Sequence, residues 1–162
     1  INIIVAAKTN SKNNLGNLNL LIAGDGELKE YIKSLNNNYQ ISYLEHTDNE
    51  NILDLIKKSL AVITPTRMFE GQPRLLCEAS SLGVPSIYPS FGGMDEFFPK
   101  DYSLSFAQFG YEDLEKKIMM LENKDLLQHE SKRVKKHLQG LLSNDKALIN
   151  KIYDEFKREY EQ

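Results

Sequence analysis

The chain has little of what staples a fold or binds a metal. Its single cysteine, Cys77, cannot form an internal disulfide, and with three scattered histidines it makes no metal constellation. A cytosolic compartment is the simplest expectation for a chain so sparing of cysteine. No apolar run approaches a membrane span, and nothing near Ile1 resembles a signal peptide. An excess of one charge is also lacking. The net charge is −3 with Lys and Glu interspersed, which removes the bulk attraction that a nucleic-acid partner would need.

What is present suits one compact domain: 162 residues, 41% of them hydrophobic. Ile1–Lys8 is ambiguous, because its β-branched residues favour a strand while Ile1, Ile4 and Val5 share a helical face. Thr9–Asn17 reads as a polar connector. Leu18–Ala23 then forms a strand ending in Gly24-Asp25-Gly26, and Glu27 opens a helix with Leu28, Ile32 and Leu35 in step, stopped by Asn36-Asn37-Asn38. Gln40–Leu44 is the next strand, and Asp48 or Asn49 caps a helix whose face is Ile52, Leu55, Ile56 and Leu60. Towards the end, Tyr102–Phe106 reads as a last strand. Helices are expected over Tyr111–Leu121, about Asp125–Leu142, and Asp145–Tyr160, the last with Ile149, Ile152, Tyr153, Phe156 and Tyr160 on one face.

Residues 60–96 are the organising stretch. Leu60–Thr64 is an apolar β-rich run, Pro65–Gln72 breaks it, and Pro73 stands where a first helical residue should be. That helix ends at Leu82-Gly83, and Val84–Tyr88 resumes extended structure. Such a βαβ unit places its loops at the carboxyl ends of parallel strands, the edge at which open α/β sheets bind ligands. Two carboxylates mark the unit, Glu70 in the loop and Glu78 on the helix, with seven residues between them. Glu78 borders a stripe of Leu75, Ala79 and Leu82, where an ionised carboxylate is costly without a partner such as a ligand hydroxyl.

The run Glu70-Gly71-Gln72-Pro73-Arg74-Leu75-Leu76-Cys77-Glu78-Ala79-Ser80-Ser81-Leu82-Gly83-Val84-Pro85, followed by Gly92-Gly93-x-x-Glu96, resembles the Glu-x7-Glu signature of retaining GT-B glycosyltransferases of group 1. The resemblance implies a three-layer, Rossmann-like α/β domain with a mostly parallel sheet and a helical carboxyl-terminal extension. It would be the donor-binding half of a GT-B fold, excised from a chain whose amino-terminal acceptor domain is a separate partner. By the same resemblance, Ile1–Lys8 is the tail of a helix, and the strand carrying an Arg and a Lys for the diphosphate precedes Ile1.

The implied substrate is a nucleoside-diphosphate sugar, with retention of configuration, no metal and no cofactor. The implied acceptor is a glycan or lipid-linked precursor of the cell envelope, and the parent enzyme would sit peripherally at the inner face of the membrane. Glu78 would accept hydrogen bonds from the ribose, and Glu70, the catalytic candidate, would hold the donor sugar near the transferred carbon. Gly71, Gln72, Arg74 and Leu75 would surround the donor, Gly92 and Gly93 would line its sugar end, and Gly24 and Gly26 would let backbone approach the nucleotide. A plainer reading of Gly24-Asp25-Gly26 is a strand-to-helix turn needing positive φ. As a dinucleotide fingerprint it is incomplete, because Lys29 replaces the third glycine. His46 lies where such enzymes often place a base-binding loop, although its plainer reading is a surface histidine; Arg67 reads as solvated, and Cys77 reads as packed against the sheet.

The pattern departs at Gln72-Pro73-Arg74, where Phe-Gly-Leu is usual. Pro73 has no N–H to give, and Arg74 sets a positive charge at a helix amino terminus, a conflict that a bound anion would resolve. A sugar-nucleotide epimerase and a non-catalytic α/β interaction domain are the two competing readings.

Overall fold

The computed structural model describes residues 18–35, 41–45, 47–71 and 73–160. The expectations for residues 1–17, Asn36–Asn38, Gln40, His46 and Gln72 lie outside the described residues, as do the side chains of Ile152, Phe156 and Tyr160.

Strands and helices alternate in the expected order. They are β1 (Leu20–Ala23), α1 (Lys29–Leu35), β2 (Ile41–Leu44), α2 (Asn49–Lys57), β3 (Val62–Ile63), α3 (Arg74–Ser81), β4 (Ser86–Ser90), β5 (Ser105–Ala107), α4 (Tyr111–Met119) and α5 (Lys124–Tyr160). Every strand pairing among the described residues is parallel. β1 pairs with β2 from Leu20↔Ile41 to Ala23↔Leu44, β3 with β4 through Val62↔Ser86 and Ile63↔Ile87, and β4 with β5 from Tyr88↔Ser105 to Ser90↔Ala107. Parallel strands need helical crossovers and are covered on their faces, which is why β3 is buried throughout and β4 at every position but Ser90.

Both sheets share one core. Ile56 of α2, Val62, Leu76 and Ala79 of α3, Ile87, Leu104 and Val134 of α5 are fully or almost fully buried, with Ala23 of β1 in the same cluster. Leu127, Glu130, Val134 and Leu138 repeat at helical spacing and form the stripe by which α5 closes that core.

Several boundaries differ from the sequence reading for identifiable reasons. Asp48 is the cap of α2, its carboxylate accepting from the Asn51 N–H at 2.9 Å. Pro73 is not the first helical residue but the cap: its ψ of 91° is extended, and its carbonyl accepts the first helical hydrogen bond from Cys77. The apolar stripe of α3 is also turned, with Leu76, Ala79 and Ser80 buried while Leu75 and Leu82 are half-buried. The last strand begins at Ser105 rather than Tyr102, because Tyr102 turns inward. Its hydroxyl accepts from the Ser86 N–H and donates to the Ser86 carbonyl, tying the turn to the start of β4. The helix from Tyr111 tightens into a 3-10 turn over Met120–Glu122.

The two carboxyl-terminal helices expected on either side of Ser143-Asn144 are one continuous helix, α5. Ser143 returns its hydroxyl to the Gln139 carbonyl at 2.8 Å, so a residue that reads as a stop is satisfied inside the helix. Beyond Leu138 the apolar side chains Leu142, Leu148, Ile149 and Tyr153 are exposed.

The end of α3 sets the entry into β4. The Gly83 N–H donates to Ser80 and the Val84 N–H to Ala79, with Gly83 at φ 75°, which is a Schellman closure. A Cβ at Gly83 would sit 3.2 Å from Ser131 Oγ of α5, which itself donates to the Gly83 carbonyl. Gly83→Ala is therefore expected to destabilise the domain by about 1–2 kcal/mol, the cost of a left-handed non-glycine residue. Urea denaturation would measure it, and an unchanged midpoint would refute the strained closure.

Candidate functional site

The loops after β3 and β4 leave the carboxyl ends of two adjacent parallel strands and touch each other there. The Gly93 N–H donates to the Glu70 carbonyl at 3.0 Å. A Cβ on Gly92 would lie 2.9 Å from that same carbonyl oxygen, and one on Gly93 would lie 2.8 Å from the Gly71 carbonyl oxygen. Gly92 also has φ 69°. Only glycines allow this approach, and its consequence is that Glu70 is positioned by a backbone contact from the next loop. The Glu70 carboxylate, half-buried, has no hydrogen-bond or ionic partner among the described residues. A Cβ on Gly71 would meet nothing within 4 Å.

Glu78 has a partner within its own helix. Arg74 Nε donates to Glu78 Oε1 at 2.9 Å, with the glutamate side chain 22% exposed and the arginine 79% exposed. This is an i, i+4 pair on α3, and it also supplies the anion that Arg74 needs at a helix amino terminus. Only the Nε of Arg74 is engaged in it. The helix begins with no side-chain cap, because its capping residue is Pro73. Leu75, a donor-site candidate, packs partly against the core.

Gly24 and Gly26 belong to a turn after β1 whose described hydrogen bonds run locally and to β2. The Gly24 N–H donates to Leu44, the Tyr43 hydroxyl donates to the Gly24 carbonyl, and the Lys29 N–H donates to Gly26. Gly24 has φ 139°, as a strand-to-helix turn required, while Gly26 is not among the positive-φ glycines. Beside this turn, Glu45 bridges Lys29 at 3.2 Å and Lys33 at 3.0 Å. Hydrogen bonds from Lys33 and then Lys29 hold its carboxyl below the usual carboxylate range.

Cys77 is half-buried, and burial pushes its thiol up, with the neighbouring Glu78 charge adding to the effect. It is an unactivated thiol. Among the described residues, no group of three or more His, Cys, Asp or Glu side chains could hold a metal ion, and no helix is long and apolar enough to cross a membrane.

Sequence reasoning missed three features of this edge. Arg67, read as solvated, donates from Nη2 to the Tyr111 hydroxyl at 2.9 Å and ties the loop after β3 to α4. Asp95 receives the hydroxyls of Tyr88 and Ser90, which fixes the turn after Gly93. Phe69 and Phe91, each directly before a glycine or carboxylate of the site, touch edge to face. Their positions beside Glu70 and Gly92 were the available signal.

Comparisons with known proteins bear on this geometry. A family model described as glycosyl transferases group 1 matches residues 1–138. No curated protein matches the chain. Among solved structures, the catalytic domain of cholesterol-alpha-glucosyltransferase from Helicobacter pylori is similar with a TM-score of 0.65 at 20% identity, covering 75% of this chain and 78% of that one. Sucrose-phosphate synthase from Thermosynechococcus elongatus is similar with a TM-score of 0.67 at 15% identity, over 85% of this chain and 37% of that one. HepE from Anabaena, solved in complex with UDP and glucose, gives 0.66 at 13% identity, over 84% of this chain and 40% of that one. This chain therefore spans well under half of the last two.

Proposed function

The chain belongs to the group 1 glycosyl transferases, and on that premise we propose that it is the donor-binding domain of a retaining enzyme that transfers a sugar from a nucleoside diphosphate. The observation that carries the reading is the Gly93-to-Glu70 backbone bond, which holds an unpartnered carboxylate at the carboxyl edge of the parallel sheet. Glu70 would take hydroxyls of the donor sugar, and Glu78 those of the ribose.

The diphosphate would sit at the uncapped amino terminus of α3, where free N–H groups and the helix dipole favour an anion. The Nη groups of Arg74, whose Nε is held by Glu78, would then meet it. As the nucleoside diphosphate departs, these fixed donors would stabilise its growing charge without reorganising. No metal or cofactor is assigned a role.

The acceptor domain, in this reading, is a separate part of the same enzyme. The acceptor would be a glycan or lipid-linked precursor of the cell envelope, met at the inner face of the membrane. This chain alone would transfer sugar poorly.

Titration with UDP, GDP and ADP, followed by backbone amide shifts, tests the donor reading. HepE, solved with UDP and glucose, makes UDP the first choice. Shifts confined to Gly71–Glu78 and Gly24–Gly26 are expected, and shifts elsewhere would overturn the site. Gly93→Ala should displace the Glu70 loop and abolish the response of an added UDP-sugar at Glu70, since its Cβ would lie 2.8 Å from a backbone oxygen.

A further inference from the structure

Glu70 is held by Gly93, and what holds Gly93 lies one step further along the chain. Gly93 leads into the 3-10 turn Met94–Phe97, whose Asp95 carboxylate turns back onto β4. The Tyr88 hydroxyl donates to Asp95 Oδ1 at 3.0 Å, and the Ser90 hydroxyl donates to Oδ2 at 2.5 Å. Tyr88 and Ser90 are two residues apart on one strand, so their side chains leave the same face and reach one carboxylate together.

Both donors are anchored in the sheet, Tyr88 opposite Ser105 and Ser90 opposite Ala107 of β5. Tyr88 is 1% exposed, and its ring stacks on Phe98 with centroids 4.2 Å apart. Burial, and then the Asp95 charge, pushes the Tyr88 phenol up, which keeps the donated proton on it. Hydroxyl bonds to an ionised carboxylate are short and strong. The turn has other ties. The Glu96 N–H donates to the Gly93 carbonyl, the Phe98 N–H donates to the Asp95 carbonyl, and His137 Nε2 of α5 lies 3.2 Å from the Glu96 carbonyl. Among the described residues, only the Asp95 carboxylate bonds the turn to β4.

We propose that Asp95 is a positioning residue for the donor sugar: its two hydroxyl bonds fix the Gly92–Gly93 turn on β4, and the Gly93 N–H then sets where Glu70 stands. The inference rests on Glu70 holding that sugar. Asp95 is not itself the sugar's ligand, because each of its oxygens already accepts a hydroxyl. The chain of contacts runs from the sheet through Tyr88 and Ser90 to Asp95, Gly93 and Glu70, and none of these residues lies on α3. Loss of Asp95 should therefore cost the sugar end of the donor and spare the nucleotide end.

Hydrogen–deuterium exchange of the Gly93 amide in the free protein tests the clamp directly. Asp95→Ala should cut its protection about tenfold or more, as expected on losing bonds to a charged acceptor. The Val62 and Thr64 amides, bonded to the Pro85 and Ile87 carbonyls, should keep theirs. Asp95→Asn still accepts from Tyr88 and can donate to Ser90 Oγ, so it should restore protection to within about threefold. With UDP and UDP-glucose as probes, Asp95→Ala should leave UDP affinity within about twofold and abolish whatever affinity the glucose adds.

A Gly93 amide unprotected in the parent protein, or equally protected in Asp95→Ala, overturns the clamp. So does a loss spread evenly over Val62 and Thr64, which would be general destabilisation, or an Asp95→Asn variant as impaired as Asp95→Ala. Glucose that adds no affinity in the parent overturns Glu70 as the holder of the sugar and the role of Asp95 with it. The donor reading fails separately: UDP that shifts no amide overturns the nucleotide site, while the exchange result still decides the clamp.

Discussion

Glu78→Ala should weaken UDP binding tenfold or more, because in the proposed donor site it removes a carboxylate that would accept hydrogen bonds from the ribose hydroxyls, and bonds to a charged group contribute about 1.5–3 kcal/mol. Arg74 makes the experiment sharper. In the free protein its Nε occupies Glu78 Oε1 at 2.9 Å, so the arginine either shares the carboxylate with the ribose or competes for it. Sharing predicts that Arg74→Ala also weakens UDP, about three- to tenfold, through loss of a cation from the phosphate seat. Competition predicts that Arg74→Ala tightens it.

The expected result is weakening, because Nε alone is tied to Glu78 and the helix terminus has no cap of its own. Calorimetric titration of the two single variants and the double variant would separate the cases. Arg74→Ala with unchanged UDP affinity would remove the arginine from the donor site.

Arg133→Ala should destabilise the domain by about 3 kcal/mol, at the lower end of the range for breaking a buried ion pair. Glu130 on α5 is fully buried, and Arg133 Nη1 donates to both of its carboxylate oxygens at 3.0 and 3.1 Å. The Ser103 hydroxyl donates to the same carboxylate at 2.6 Å, and Arg133 Nη2 donates to the Lys100 carbonyl. These bonds pin α5 to the turn before β5. Removing the arginine leaves a buried carboxylate with one hydroxyl donor, whereas Glu130→Gln keeps a neutral acceptor and should lose less. Urea midpoints for the two variants check the order, and the reverse order would mean that the network contributes packing rather than charge pairing.

The legible parts of this molecule were those written within a few residues of one another. The strand-helix alternation followed from apolar runs and helical spacing. Asp48 announced the start of α2, and Gly83-x-Pro85 announced the end of α3. The spacing of Glu70 and Glu78 around a helix start identified the candidate site before any contact was known. Errors came where a local signal was answered by something local that patterning does not weigh. Ser143-Asn144 reads as a stop, but the Ser143 hydroxyl bonds back to Gln139 and the helix continues. Pro73 reads as a first helical residue, but its extended ψ and its bond from Cys77 make it the cap.

By itself the sequence determined the family, the order of elements and the loop and helix that carry the two carboxylates. A motif, a helical period and a glycine or proline stop are short-range properties, set by backbone sterics and by which face each side chain must bury. Only the tertiary structure decided how the site is assembled. The Gly93 N–H on the Glu70 carbonyl, the Phe69 ring against Phe91, Arg67 on Tyr111 and Ser131 on Gly83 join residues from different elements. No local preference specifies such pairs. They follow from parallel strands stacking side by side, which brings the loops at their carboxyl ends to the same edge whatever their separation along the chain.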